Sequence, residues 1–271
     1  MSNILGHLRK RLNIHFAVSL LVVLGLWHLL GSNYPASTFP DLFELWNAIF
    51  ETYTRQGRFD PVEHIGVTFL RILMVFVIAM PLGVALGIAM GRNEFFETYF
   101  SPYVLIALAF PSIVWAFVAV LWFGLTTYLV PVFVGVVITV PYVIINIWNG
   151  TKDLDPKLVE MSDTFSTSPV LFWRYVLIPH LNPYILAMAR IVLAIGWKVM
   201  LIAEIFGAQS GLGFVIDQFF QLRENHMILA WTLPAMLAIF IFDRALKWME
   251  QNQGEWRADL EINAEKEMAG A

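Results

Sequence analysis

Six stretches of about 20 mostly apolar residues dominate the chain and restrict what it can fold into. Segments of this kind cross the hydrocarbon layer of a membrane, where only a helix satisfies its own backbone hydrogen bonds. Of the 271 residues, 58% are hydrophobic and 14% are charged, which is more apolar than an ordinary soluble domain. The sequence therefore predicts an all-α integral membrane protein with six transmembrane helices, at residues 14–30, 65–90, 99–123, 128–148, 183–206 and 227–248.

The distribution of Lys and Arg predicts the orientation of these spans. If the N-terminus is cytoplasmic, the inner segments together with the inner end of the last span hold eleven of the 17 basic residues, the outer segments hold three, and the remaining three lie deeper within spans. Cytoplasmic loops carry the excess of positive charge, which favours the N-in/C-in arrangement. This arrangement predicts a cytoplasmic N-terminus at 1–13, a transmembrane domain at 14–250 with a cytoplasmic loop at 150–182, and a charged cytoplasmic tail at 251–271.

Two features near the N-terminus need separate interpretation. The first apolar run follows basic residues, as in a secretory signal peptide, but it is longer than the usual apolar core of such a peptide and no clear cleavage site follows it. We therefore expect an uncleaved first helix. Between the first two spans, residues 33–60 carry apolar side chains at spacings that suggest a helix lying at the membrane interface.

Most other kinds of chemistry have no support in the sequence. The chain has no Cys, which excludes disulfides and thiolate metal sites, and its six His show no metal-binding spacing. It contains no P-loop motif and no basic stripe with interleaved aromatic residues. We therefore expect no catalytic residue, no bound cofactor or metal, and no nucleic-acid partner.

Three glycines of the second span, Gly83, Gly87 and Gly91, are spaced four residues apart. Small residues at this spacing share one face of a helix and let a second helix approach closely. Their predicted role is helix packing, although membrane helices are also rich in glycine for other reasons.

Ionisable residues inside spans are functional candidates by default, because a charge is costly in hydrocarbon. The candidates here are Arg71, Arg190, Lys198 and Glu204. A carboxylate at 204 can pair with Arg71, which would hold two helices together, or with Lys198 of its own span, and a structural pairing is favoured over direct contact with cargo. Both interpretations remain open from the residues alone.

A glycine-rich break follows the fifth span. Gly207, Gly211 and Gly213 interrupt the helix there, and apolar residues follow at once. Such a segment can turn back toward the membrane where it lines a cavity. We predict an outer gate of the pathway, or a contact for a binding protein, at Ser210, Gly211, Leu212 and Gly213.

The predicted cytoplasmic loop contains a polar segment, EMSDTFSTSPVLFWRYVLIP, at residues 160–179. Asp155-Pro156 and Ser168-Pro169 each combine a capping side chain with a proline at the first helical position. The sequence predicts two short helices joined by a turn, the second one running from Pro169 toward Leu177. A projection of this shape suits a partner protein, whereas a solvated loop on lipid headgroups is the simpler alternative.

Permease subunits of ATP-binding-cassette importers share a cytoplasmic signature, which reads E-A-A, three residues, G, nine residues, I-x-L-P. The segment at 160–179 resembles this signature in the order and spacing of Glu160, Ser166 and Val176-Leu177-Ile178-Pro179. Over about residues 64–245 the chain resembles the branch for nitrate, sulfonate, taurine and bicarbonate. The resembling segments are HIGVTFLRI, PLGVALGIAMG, PSIVWAFVAVLWFG, AEIFGA and SGLGFVI. Met161 and Ser162 replace the two alanines of the signature, Ser166 replaces its glycine, and Ile178 takes the place of its leucine.

The resemblance implies a type I ABC importer permease fold in the bacterial inner membrane, with no enzymatic activity of its own. It also implies a homodimer, two ATP-binding subunits that hold ATP and Mg, and a periplasmic or lipid-anchored substrate-binding protein. The residues implied to couple transport to the ATPase are Glu160, Met161, Ser162, Asp163, Phe165, Ser166, Phe172, Arg174, Leu177 and Pro179, with Phe165 and Phe172 as apolar anchors. An ATP-independent channel or secondary transporter and a membrane enzyme acting on lipids are the alternatives.

Overall fold

The computed structural model describes residues 14–35, 37–54, 57–237, 240–241 and 244–245, and this part of the chain contains helices and no strands. The first six helices are α1 (Ile14–Gly31), α2 (Leu42–Tyr53), α3 (Pro61–Arg92), α4 (Glu94–Ala109), α5 (Ser112–Phe123) and α6 (Leu129–Lys152). The remaining helices are α7 (Pro156–Thr164), α8 (Pro169–Phe172), α9 (Ile178–Gly207), α10 (Leu212–Leu222) and α11 (225–237). A π-helical turn, Trp173–Leu177, joins α8 to α9.

Three continuous helical segments are long and apolar enough to cross a membrane, namely Pro61–Arg92, Leu129–Lys152 and Pro169–Gly207. Together α4 and α5 would supply a fourth span if the bent pair is counted as one. The last predicted span lies partly outside the described residues, and the predicted tail at 251–271 lies wholly outside them. The count of six spans and the N-in/C-in orientation therefore stay predictions.

The predicted span at residues 99–123 is not one continuous helix. Two helices, α4 and α5, occupy this region, and their axes are bent by 99° where they meet. Pro111 causes the break, since it has no N–H to continue the helix and its ring disfavours helical geometry at Phe110. Phe110 is accordingly extended, with φ −76° and ψ 127°.

The fifth predicted span is longer than the sequence indicated. The chain is helical from Pro169 to Gly207, over 39 residues, and neither Pro179 nor Pro183 interrupts it. The wider π turn at Trp173–Leu177 ends two residues before Pro179, which cannot donate a backbone hydrogen bond. The second short helix predicted at Pro169 is therefore the first turn of a long helix and not a separate element.

The described chain forms two compact units, one containing residues up to Val62 together with Val215–Leu233, and the other containing Glu63–Phe214 and the described residues from Pro234 onward. In the first unit, a capping box starts α2, because Asp41 accepts from the backbone N–H of Glu44 at 2.7 Å and the Glu44 carboxylate accepts from the N–H of Asp41. Within this unit α2 exposes four large aromatic side chains, those of Phe43, Trp46, Phe50 and Tyr53.

In the second unit, α3, α6 and α9 form the core. Each glycine of the stripe on α3 faces one residue of α6, because a Cβ on Gly83, Gly87 or Gly91 would collide with Val143, Ile147 and Thr151 respectively. The three partners are also spaced four apart, so two straight helical faces are in direct contact. This close packing fixes α3 against α6 and positions the polar side chains that α3 carries.

Candidate functional site

A buried polar cluster joins α3 to the end of α9. Three polar side chains of α3, His64, Thr68 and Arg71, lie at i, i+4 and i+7 and so share one helix face. Glu204 faces them from the last turn of α9. The side chains of Arg71 and Glu204 are both 0% exposed.

The carboxylate of Glu204 accepts hydrogen bonds from three residues. Nη1 of Arg71 donates at 2.6 Å, the hydroxyl of Thr68 at 2.8 Å, and the backbone N–H of Gly213 at 2.8 Å. A buried charge is tolerated only when it is paired and its remaining hydrogen-bonding capacity is satisfied. The structure therefore pairs Glu204 with Arg71, one of the two partners that the sequence allowed, and adds Thr68 and Gly213.

The segment Ser210–Gly213 is bonded to this cluster at every residue. Arg71 donates to the carbonyl oxygen and to the hydroxyl oxygen of Ser210, at 2.8 Å each. The N–H of Gly211 donates to Nδ1 of His64 at 3.1 Å, and the N–H of Leu212 donates to the Thr68 hydroxyl at 2.8 Å. The first N–H groups of a helix have no partner within the helix, and here side chains of α3 and α9 supply those partners for α10.

Both glycines of this segment are required by its geometry. Gly211 has φ +102°, a conformation that L residues rarely adopt, and a Cβ there would strike Arg71 and Glu204. A Cβ on Gly213 would lie 2.6 Å from the Cβ of Glu204. Contrary to the sequence-based expectation, Gly213 does not break a helix but lies in the first turn of α10, where it permits close contact with α9.

His64 and Thr68 were not predicted from the sequence as members of this cluster. The signal that could have identified them is their spacing relative to Arg71, which gives a polar stripe on a helix that is otherwise apolar. The remaining two intramembrane charges, Arg190 and Lys198, both lie on α9. The side chain of Arg190 is half-buried, whereas that of Lys198 is exposed.

The predicted coupling segment, residues 155–179, begins with a well-capped helix. The carboxylate of Asp155 accepts from the N–H of Lys157 at 2.9 Å, and Pro156 occupies the first helical position. At the other end of α7, Ser166 has φ +50°. Its N–H donates to the carbonyl of Asp163 at 3.0 Å, and the N–H of Thr167 donates to the carbonyl of Ser162 at 2.9 Å.

These two bonds form a Schellman motif, with Ser166 at the left-handed position that glycine usually takes. The turn of the family signature is thus closed in the usual way, although serine replaces the glycine. The backbone of Ser166 is consequently strained, since a left-handed conformation costs a non-glycine residue about 1–2 kcal/mol.

The second half of the coupling segment is anchored in the core of the second unit. Ser168 caps α8, with its hydroxyl accepting from the N–H of Leu171 at 3.4 Å. Phe172 and Leu177 are buried in a cluster that includes residues of α3, α6 and α9. The guanidinium of Arg92 lies 4.7 Å from the centre of the Phe172 ring. Phe172 is therefore an anchor that holds the segment onto its own protein.

The other predicted coupling residues divide by exposure. Ser162 is buried and Pro179 is half-buried. Those exposed are Glu160, Met161, Asp163, Phe165, Ser166 and Arg174. Phe165 is 77% exposed and Met161 is 48% exposed, so apolar side chains stand beside the two carboxylates on a surface that this chain does not cover. Among the described residues, no group of three or more His, Asp or Glu could hold a metal ion.

Comparison with known proteins identifies the family. A family model described as binding-protein-dependent transport system inner membrane component matches residues 66–254, and so includes the coupling segment and every member of the polar cluster except His64. The chain belongs to this family. Its members are permease subunits of ABC transporters and not enzymes, and ATP hydrolysis is carried out by a separate ATPase subunit.

Similar permeases include the taurine transport system permease protein TauC of Escherichia coli K12, which is 23% identical over 76% of this chain and 75% of its own. The putative aliphatic sulfonates transport permease protein SsuC of Bacillus subtilis is 25% identical over 73% of this chain and 71% of its own. The nitrate import permease protein NrtB of Leptolyngbya laminosa is 25% identical over 85% of this chain and 84% of its own.

Among solved structures, an inward-facing conformation of the MetNI methionine ABC transporter has a TM-score of 0.51 and 18% identity, and the match covers 76% of this chain and 96% of that one. At this identity the likeness concerns the fold alone. The permease is therefore a multi-pass inner-membrane subunit of an importer that works with an ATPase and a substrate-binding protein. This conclusion disfavours the ATP-independent channel and the lipid enzyme.

Proposed function

We propose that this permease imports a small anion of the class that includes sulfonates, taurine, nitrate and bicarbonate. The support is that relatives named for taurine, aliphatic sulfonates and nitrate match the chain over most of its length. The chain itself binds no cofactor in this proposal, and ATP with Mg is held by the partner ATPase.

The working unit in this proposal is a homodimer with two ATPase subunits. Each chain carries one coupling segment, so two copies would offer one segment to each ATPase. A substrate-binding protein would deliver cargo from the outer side, where the predicted orientation places Ser210–Gly213. These four residues are proposed to form the outer gate or the contact for the binding protein.

The coupling role is supported by the rigidity of residues 155–179. Both of its helices are capped by their own side chains, the turn between them is closed by two hydrogen bonds, and Phe172 and Leu177 are buried in the core. A rigid segment of this kind transmits a displacement, whereas a flexible loop would absorb it. Because α8 continues without a break into α9, a push on the exposed surface at Phe165 would pass along a helix that ends next to the polar cluster at Glu204.

The coupling role is tested by removing exposed side chains of α7. We expect Glu160→Ala with Asp163→Ala, or Phe165→Ala, to lower the ATPase activity that cargo-loaded binding protein stimulates, while the permease still folds. The matched control is Glu51→Ala, which removes an exposed carboxylate from α2. If stimulation in the α7 variants equals that of the control, with normal assembly, the coupling assignment fails.

The transport class is tested with membrane vesicles. Import should require ATP, the ATPase subunit and the binding protein together, and omission of any one should abolish it. Uptake that persists without ATP would instead support the channel.

A further inference from the structure

Lys198 is an exposed charge within a membrane-spanning helix. It lies on α9, nine residues before that helix ends at Gly207. Its neighbours Trp197 and Val199 are 1% and 5% exposed, respectively, and pack into the core. The side chain of Lys198 therefore points away from the core of its own unit.

If the outer membrane surface lies near Gly207, where α9 ends, the ammonium group of Lys198 cannot reach it. Nine residues of α-helix correspond to roughly 14 Å. The four-carbon stem of lysine is too short to cover that distance. An ammonium group held at this depth needs water, a counter-charge or both, since hydrocarbon would leave it unsolvated.

The spans contain few acidic residues that could neutralise it. The six predicted spans hold two, Glu204 and Asp243. Glu204 is buried and bonded to Arg71, Thr68 and Gly213, and therefore has no free capacity for a second cation. Asp243 belongs to the predicted inner end of the last span and lies outside the described residues. Within the described part of the chain Lys198 forms no salt bridge.

We infer that Lys198 lines the translocation pathway and contacts the anionic cargo as it passes. This inference rests on the proposed function and deepens it, because it assigns a cargo-binding residue. Residues on either side of Lys198 fix the helix in the core, while the ammonium group faces the water-filled side of α9. The fixed positive charge lowers the cost of bringing an oxyanion into the membrane.

The chemistry of lysine fits a transient contact. An ammonium is a compact, strongly hydrated point charge on a flexible stem, without the rigid fork by which arginine grips an oxyanion in two places. Conduction requires binding that is favourable enough for entry and weak enough for release. A sulfonate, nitrate or bicarbonate passing such a group would be attracted without being held.

The first experiment measures whether the position faces water. Because the chain has no Cys, Lys198→Cys introduces the single thiol of the protein. In the assembled transporter in vesicles, we expect a membrane-impermeant, charged methanethiosulfonate reagent to label it about tenfold faster than two controls, since the reagent attacks a hydrated thiolate. The controls are Trp197→Cys, at a buried position, and Leu21→Cys, at an apolar position of α1 that is 69% exposed. Labelling no faster than in both controls overturns the inference.

The second experiment measures transport of three probes, namely nitrate, taurine and an alkanesulfonate, each with the ATPase and the cognate binding protein. For a probe that the unmodified permease imports, Lys198→Met should lower kcat/KM about 10- to 100-fold, the amount expected for losing a hydrogen bond to a charged group. Lys198→Arg keeps the charge and should therefore lower kcat/KM less than Lys198→Met does, although its two-point grip on an oxyanion should slow release and reduce kcat. Co-purification with the ATPase confirms that each variant assembles.

The outcomes separate this inference from the proposed function. If the unmodified permease imports none of the three probes, sulfonates, taurine and nitrate are excluded as its cargo, and the thiol labelling still decides whether residue 198 faces the pathway. If a probe is imported and Lys198→Met transports it as well as the unmodified permease does, the cargo contact is refuted.

Discussion

Breaking the buried pair of Arg71 and Glu204 should destabilise the permease strongly. Both side chains are fully buried, at an N···O distance of 2.6 Å, so removing one partner leaves an uncompensated charge in the core. Such losses cost about 3–5 kcal/mol. We therefore expect each single variant, Arg71→Met and Glu204→Gln, to lower the free energy of unfolding by that amount.

The double variant separates charge pairing from packing. When Arg71→Met and Glu204→Gln are combined, no charge remains, and the Gln carbonyl can still accept from the N–H of Gly213. The lost bonds are then chiefly the two from Arg71 to Ser210, worth about 1 kcal/mol each. The free energy of unfolding of the double variant should therefore fall by about 2–3 kcal/mol, a smaller loss than in either single variant.

The measurement is thermal unfolding of the purified permease in detergent, with the exposed Arg174→Ala as the control. At about 2–4 °C per kcal/mol, the single variants should unfold roughly 10 °C below the unmodified protein, and the double variant should recover part of that loss. The reasoning fails if Arg71→Met behaves like the Arg174 control, or if the losses of the two single variants simply add in the double variant.

Three further substitutions test the close contacts and the strained turn. Gly211→Ala should lower both thermal stability and uptake, because a Cβ there meets Arg71 and Glu204 at a positive φ, whereas Gly25→Ala, with open space around it, should not. Within α3, Gly87→Ala should unfold at a lower temperature than the unmodified permease, because a Cβ there would collide with Ile147. Gly66 has open space around it, so Gly66→Ala should raise the free energy of unfolding by about 0.5–1 kcal/mol, since alanine loses less backbone entropy on folding than glycine does. Ser166→Gly should raise the free energy of unfolding by up to about 1 kcal/mol, because it relieves the left-handed strain of about 1–2 kcal/mol but adds the entropy cost of glycine. ATPase stimulation should not change. A loss of stability would contradict the Schellman assignment.

Much of the helical architecture can be read from the sequence, because its causes are local. Apolar runs of membrane-spanning length gave the positions of α3, α6 and α9, and cap-plus-proline patterns gave the starts of α7 and α8. The bend between α4 and α5 also has a local cause in Pro111, but the sequence does not say whether a proline in a membrane helix breaks it or is tolerated. Pro111 bends the chain by 99°, whereas Pro179 and Pro183 are accommodated within a continuous helix.

The polar cluster, by contrast, depends on which helices pack together. The sequence named Arg71 and Lys198 as equal candidates to pair with Glu204, because both are cations inside spans. The tertiary structure chose Arg71: the glycine stripe of α3 and the turn at Gly211 bring that residue, with Thr68, to the end of α9, while Lys198 projects from the same helix as Glu204 in another direction. Composition and periodicity decide which segments are helices in the membrane, since those are properties of each segment. Partner choice among buried charges is a property of distances between segments, and only the folded chain sets those.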